Sequence, residues 1–422
     1  MKKPNLLERS NSSLSNVLGH ATQLQVERGE GVHLIDYDGN RYLDFGAGIA
    51  VNSTGHCHPS IVHAIKIQSE KLLHGCAGVV YYDQNITLAE QLGSISGHDL
   101  TSVFFTQSGT EAVEAALKCA TYVRNKQQII AFNGSFHGRT LGALSVTTSN
   151  KKYHARTSLA YPNPIVLDYP YFYRNESPLN SEDGYLTYLN EALSNIDAST
   201  IAAIIIEPII GEGGYIPAPA SVLKTLRDWC TSTGVLLIFD EIQSGIGRTG
   251  EWFYFQHHGI APDILTTAKG IASGLPLGAC ISTQAIMDQW ATGSHGGTYG
   301  GNPLSCVAGS ATLSVIEPRL HQIKHYGHHA MRRLHSELSS HPNIGDIRGE
   351  GLMIGIEFIL DEDKTPATEL VTKILSECLK QQLIVVSCGI HRNIVRLMPP
   401  LVISQDELDS GLDTFISICQ RQ

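Results

Sequence analysis

The stretch that most constrains the fold runs from Val235 to Gly270. It opens with an unbroken apolar run, Val235-Leu236-Leu237-Ile238-Phe239, and then meets Asp240. Consecutive apolar residues with branched members read as a strand covered on both faces, the pattern of a parallel sheet flanked by helices. A carboxylate at the end of such a strand is costly unless something cationic lies against it. A second core segment, Ile264-Leu265, ends in Thr266-Thr267-Ala268-Lys269-Gly270, which sets an amine 29 positions after the carboxylate. In an α/β pattern both groups should lie at the carboxyl edge of the sheet, where open sheets bind ligands. A buried Asp–Lys ion pair is the competing structural reading of the same two residues.

The 422 residues are enough for two domains and a large core. With 42% hydrophobic and 17% charged residues the composition is globular, and no apolar run is long enough to span a membrane. The start, Met1-Lys2-Lys3-Pro4-Asn5, lacks the apolar segment of a signal peptide. A formal charge of −10 and the lack of a basic run argue against nucleic acid as a partner. Nine cysteines without a CxxC pair suit reduced thiols in a cytoplasmic protein. Gly55-His56-Cys57-His58-Pro59 holds metal-binding residue types, but no second cluster has zinc-like spacing, so no metal is expected. The His257-His258 and His328-His329 pairs read as surface or structural.

Along the chain, residues 1–30 read as a polar, irregular lead-in with a short helix. His33 to Tyr37 and Arg41 to Phe45 flank Asp38-Gly39-Asn40 as a hairpin. The small-residue loop Gly46 to Val51, with Ile49 in it, leaves room for a bound molecule, or else packs tightly. Ile61 to Leu73 has helical periodicity. Ser102 to Phe105 is a strand that leads through Thr106-Gln107 to Ser108-Gly109-Thr110-Glu111, where capping-box spacing opens a helix. Free N–H groups, two hydroxyls and the positive end of the helix make that turn a phosphate seat or a plain cap. Gln128 to Phe132 is a further strand, followed by Phe136, His137 and Arg139 in a Gly-bracketed loop suited to a flat ring and a carboxylate. Tyr153 to Ser199 reads as a surface excursion. Ile201 to Ile206 is another buried strand, again ending in a carboxylate, Glu207, and Leu223 to Thr233 is the helix that follows.

Gly245 to Gly250 matches GxGxxG, yet no apolar helix begins there, so a nicotinamide fingerprint is not expected. Gly278 to Ser282 is a strand, and Leu304 to Ile316 a long helix. Residues after about 318 alternate helices (Ala330 to Leu338, Ala367 to Gln381, Gln405 to Cys419) with strands (Met353 to Ile359, Ile384 to Ser387, Ile394 to Leu397), as a small α+β domain does. The expected division is an N-terminal segment, 1–60, joining a C-terminal small domain, 311–422, with a large domain, 61–310, between them.

Six blocks in this order, GHCHP (55–59), SGTEA (108–112), SFHGRT (135–140), EPIIGEGG (207–214), DEIQSGIGRTG (240–250) and TTAKG (266–270), resemble the class III, ω-amino-acid aminotransferases. The likeness runs from Tyr42-Leu43-Asp44-Phe45 to Arg396-Leu397-Met398-Pro399-Pro400-Leu401. It implies a fold type I enzyme, with a mostly parallel seven-stranded-type sheet, that uses pyridoxal 5'-phosphate. Lys269 would form the covalent link to the cofactor and later move the proton, and Asp240 would pair with the pyridine nitrogen. Ser108, Gly109 and Thr110 would hold the phosphate, completed by Thr298 from the second subunit of a homodimer. Phe136 and Ile242 would sandwich the ring, with His137, Glu207 and Gln243 around it. Arg139 would grip a distal carboxylate and Arg396 an α-carboxylate, with Glu212 as the gate that occupies Arg396 while an ω-amine is bound. Ile49 falls with the substrate-binding positions. Ile210 and Gln107 depart from the family's usual Gln and Asn, which bears on specificity.

The implied reaction moves an amino group from a 4-aminobutyrate-like donor to 2-oxoglutarate by a ping-pong route through a pyridoxamine form. SFHGRT and Gly48-Ile49-Ala50-Val51 are equally similar to acetylornithine aminotransferases, whereas the long 153–199 segment fits the aminobutyrate branch better. Racemases or epimerases on the same scaffold tend to carry Asp at the place of Glu212. A non-catalytic protein of this fold would not need Lys269, Asp240 and both arginines.

Overall fold

The computed structural model describes residues 5–155 and 163–422. Residues 1–4 of the expected lead-in, and 156–162 in the expected excursion, lie outside them.

Seven strands form the central sheet, in the spatial order Ser102–Thr106, Gly278–Ser282, Ile264–Thr267, Leu236–Asp240, Ile201–Ile206, Gln128–Phe132, Ile165–Leu167. Only Gly278–Ser282 runs against its neighbours, so the sheet is mostly parallel. Every residue of Leu236–Asp240, Ile264–Thr267 and Ile201–Ile206 is buried, as continuous apolar runs require. One face carries the helix Gly109–Arg124, whose Val113, Ala116, Leu117 and Ala120 pack on Ile129, Ile238 and Ile264. Its alanine-rich side lets the backbone approach the sheet closely. The other face takes Leu88, Leu92, Leu223 and Leu226 against Ile204, Leu237 and Phe239.

A second sheet joins distant parts of the chain. Val26–Glu30, His33–Asp36 and Arg41–Asp44 form an antiparallel meander, and Leu383–Ile384 adds to it in parallel beside Leu43 and Asp44. A third sheet, in the order Ile344–Glu350, Met353–Phe358, Ile394–Leu397, Val386–Cys388, packs with the helices Leu320–Leu338, Thr368–Lys380 and Gln405–Cys419. Val32 and Phe45 of the N-terminal meander lie in that same apolar cluster.

The differences from expectation have physical reasons. Val26–Glu30 belongs to no irregular lead-in: it is an edge strand, and its Glu, Arg and Gly carry no apolar signal. The helix expected from Ala330 starts at Leu320, because Ile323 and Tyr326 continue the buried stripe through polar neighbours. Ile384 to Ser387 is not one strand; the chain leaves one sheet after Ile384 and enters another at Val386. The strand Ile344–Glu350 is half-buried and lacks alternation. The 153–199 segment is more than an excursion, since it supplies the edge strand Ile165–Leu167 and the helix Glu182–Ser194, which buries Tyr185 and Leu189. Ser108 caps its helix by accepting from the Glu111 N–H, but the Glu111 carboxylate turns to the Gln107 N–H, so the expected reciprocal box does not close.

Candidate active site

In the register of the central sheet Asp240 stands beside Thr266, three residues before Lys269. Both strand ends open into one cavity of about 570 Å³, lined by Ser108, Gly109, Thr110, Phe136, His137, Arg139, Glu207, Asp240, Ile242, Gln243 and Lys269 together with Val51 and Leu275. The sequence-stated site residues therefore converge, with four exceptions in the lining: Ile49, Glu212, Thr298 and Arg396.

Asp240 is 4% exposed, and three donors satisfy it. His137 Nδ1 approaches Oδ2 at 2.7 Å, while Thr266 Oγ1 and the Ile242 N–H donate to Oδ1 at 3.1 and 3.2 Å. Among the described residues its ion-pair partner is His137, not Lys269, so the structural Asp–Lys reading is set aside. Lys269 lines the cavity with a left-handed backbone, φ 37°, a conformation a side-chain-bearing residue rarely adopts. Burial, and next the Arg396 guanidinium, push its amine down to about 8. Glu207 accepts from the Phe136 and Gly211 N–H groups at 2.8 and 3.0 Å, and burial pushes its carboxyl up to about 7.

Behind the cavity runs a polar chain that the sequence did not disclose. Tyr215 donates to Gln243 Oε1 at 2.6 Å, and the Arg396 guanidinium stands 5.8 Å from the centre of its ring. Arg396, on the strand Ile394–Leu397, is 4% exposed; its Nη2 lies 3.3 Å from Glu212 Oε2. Its Nε and Nη1 are buried with no partner among the described residues. Glu241 is also buried, accepting from the Tyr254 and Phe255 N–H groups and from Ser244, which ties the strand end to the following turn. The only hint of Tyr215 in the sequence is the Gly213-Gly214 pair before it. Arg248 of the GxGxxG match is buried and donates to the Leu352 and Pro399 carbonyls, a structural clamp with no helix after it.

The remaining positions lie outward. Arg139 is exposed, its guanidinium 5.9 Å from the Tyr153 ring centre. Ile49 is 50% exposed at φ 64°, and Val51 is the residue of that loop on the cavity wall. Thr298 is exposed in a glycine-rich loop. Cys57 is exposed, and no group of three His, Cys, Asp or Glu among the described residues could hold a metal ion. No helix among them is long and apolar enough to cross a membrane.

Pyridoxal phosphate fits what is present. The helix Gly109–Arg124 begins at the cavity, and its first turn leaves N–H groups for an anion. A Cβ on Gly138 would meet Thr110 Oγ1 at 2.1 Å, and one on Gly109 would meet Ile242 at 3.0 Å, so both glycines keep the cradle open. The unpartnered Arg396 nitrogens are buried donors with unmet hydrogen-bonding capacity among the described residues.

The family model of the class-III aminotransferases matches residues 15–419. An acetylornithine aminotransferase from Clostridium acetobutylicum is 38% identical over 421 residues, covering 96% of this chain and 98% of the relative. A 4-aminobutyrate aminotransferase from Escherichia coli is 36% identical, covering 98% and 97%. Among solved structures, an ω-transaminase from Thermomicrobium roseum superposes with a TM-score of 0.90 at 29% identity, covering 100% and 99%. The chain belongs to the class-III aminotransferases, pyridoxal-phosphate enzymes that move an amino group from a donor to an oxo acid.

Proposed function

We propose that this enzyme takes its amino group from a 4-aminobutyrate-like ω-amino acid and gives it to 2-oxoglutarate, in a ping-pong reaction. The observation that carries the reading is the Glu212–Arg396 pair at 3.3 Å, with Arg396 4% and Glu212 19% exposed; both charges act on the Lys269 amine. With Glu212 on Arg396, that guanidinium is paired and does not face the apolar, amine-bearing end of an ω-amino acid as a bare charge. With Glu212 turned away, Arg396 receives an α-carboxylate in the bidentate manner its fork favours.

Pyridoxal phosphate, when bound, would supply the electron sink for breaking the C–H bond of the amine-bearing carbon. The residues do the rest. Ser108, Gly109 and Thr110 would hold the phosphate at the helix start, and Phe136 and Ile242 would confine the ring. Asp240, oriented by His137 and Thr266, would pair with the ring nitrogen and keep it protonated. Lys269, its amine kept neutral more readily by burial, would hold the cofactor covalently and, once displaced by the substrate amine, would carry the proton away from the amine-bearing carbon of the substrate and deliver it to the cofactor. Arg139 takes the distal carboxylate of either substrate.

The site is completed in a homodimer, with Thr298 reaching the phosphate of the second copy. Support comes from its exposure outside the cavity and from apolar side chains nearby. Leu73 and Tyr299 are 58% and 59% exposed, and Asn302 donates to the Leu73 carbonyl, which joins the two segments.

A donor panel tests the function: 4-aminobutyrate, 5-aminovalerate, N-acetylornithine and ornithine, each read as bleaching of the yellow holoenzyme and its return with 2-oxoglutarate. Bleaching by the first two supports the reading. A response confined to N-acetylornithine replaces it with the acetylornithine-type reaction. Loss of optical activity in a chiral amino acid with no net bleaching replaces it with racemisation.

A further inference from the structure

Glu212 is shared between two arginines, one on each carboxylate oxygen. Oε2 lies 3.3 Å from Arg396 Nη2, and Oε1 lies 3.3 Å from Arg392 Nη2. The two arginines sit on one hairpin: Arg396 in the strand Ile394–Leu397, Arg392 in the turn that joins it to Val386–Cys388. That turn is fixed to Glu212 through the backbone as well. The Gly389 N–H donates to the Glu212 carbonyl at 2.8 Å, and the Arg392 N–H donates to the Gly389 carbonyl at 3.0 Å. Arg392 adopts φ 57°, the left-handed region that residues with a side chain seldom occupy, and this turn conformation accompanies the return of its side chain to Glu212. The side chains grade outward, with 4% exposure for Arg396, 19% for Glu212 and 47% for Arg392.

We propose that Arg392 is the second holder of the gate: it keeps Glu212 paired when an α-carboxylate takes Arg396, and so tunes acceptance of 2-oxo acids and α-amino acids. The inference rests on the gate reading of the preceding section. With Arg396 occupied by Glu212, loss of Arg392 still leaves the carboxylate a partner. With Arg396 given to substrate, loss of Arg392 leaves a largely buried carboxylate with none, which is the expensive arrangement. Arg392 therefore favours the open gate over the closed one, and it does so from the solvent side, where a long cationic side chain can follow a moving carboxylate. Because it is about half exposed, water screens the pair, and the effect is modest: roughly three- to fivefold in binding.

The test uses the holoenzyme in single-turnover half-reactions, with 4-aminobutyrate as the probe that needs a closed gate and glutamate as the probe that needs an open one. Calorimetric titration with 2-oxoglutarate measures the open gate without turnover. For Arg392→Ala the dissociation constants of glutamate and 2-oxoglutarate should rise roughly three- to fivefold, with maximal rates and 4-aminobutyrate constants unchanged. Arg392→Lys should recover most of the loss. Equal weakening of both probes, no change in either, or no recovery by lysine would overturn the proposal. Glu212→Ala in the same assays separates the two layers. If it keeps the wild-type preference between the probes, the gate reading itself fails. If it shifts that preference while Arg392→Ala behaves as wild type, only the role of Arg392 fails.

Discussion

Uptake of pyridoxal phosphate by the cofactor-free protein should carry the titration of Lys269. Burial, and after it the charge of Arg396, lowers the amine from 10.5 to about 8. At pH 7 about one amine in ten is then neutral, against about one in three thousand for an ordinary lysine, a gain of roughly 300-fold in the form that attacks an aldehyde. The lowered value brings reactivity in early as pH rises. The capture rate should climb about tenfold from pH 6 to pH 7 and level off above pH 8, whereas a free alkylamine keeps climbing toward 10.5. Stopped-flow appearance of the yellow colour measures it, with the alkylamine run in parallel to remove the cofactor's own ionisations. Arg396→Met, which deletes the second cause, should move the bend upward. A protein curve that follows the alkylamine through pH 10, or a bend that moves down in Arg396→Met, refutes the reasoning. The same shift predicts that the cofactor-free fold gains stability from about pH 8 to 10.5, where the unfolded chain alone still binds that proton.

Three further outcomes follow from particular contacts in the fold. Asp240→Asn keeps the shape but removes the charge that faces His137 and the cavity; kcat should fall about 100-fold or more with the melting temperature little changed, and an unaltered kcat sinks the assignment. Gly109→Ala places a Cβ 3.0 Å from two Ile242 carbons and pushes that side chain toward the ring site, so equilibrium dialysis should show pyridoxal phosphate bound about tenfold more weakly. Gly411→Ala is the control in a remote place: its Cβ would fall 2.2 Å from Phe45 Cζ, and denaturant unfolding should show a loss of about 1–3 kcal/mol with cofactor affinity unchanged.

The buried strands and their reactive ends were legible because each is a local pattern, an apolar run that stops at Asp240, Glu207 or the Lys269 turn. The capped helix start at Ser108-Gly109-Thr110 was legible for the same reason. The partner of Asp240 was not, since His137 lies 103 positions away and only the sheet brings it near. Tyr215 and Arg392 stayed hidden for a related cause: each acts through a residue from another segment, Gln243 and Glu212 respectively. Val26–Glu30 and the first turns of Leu320–Leu338 escaped because half-solvated elements carry too few apolar residues to set a period.

The meander near the N-terminus is completed by Leu383–Ile384, which pairs with Leu43 and Asp44 from nearly the far end of the chain. During synthesis about 340 residues must leave the ribosome between the two halves of that ladder, which takes some 17–70 s at ordinary elongation rates. For all that time Val32 and Phe45 lack most of the cluster that later covers them, and the Arg41–Asp44 edge has no neighbour on that side. The nascent polypeptide thus emerges with a sticky, unfinished border, and chaperone occupancy of its first fifty residues should end only when the last helix has been made.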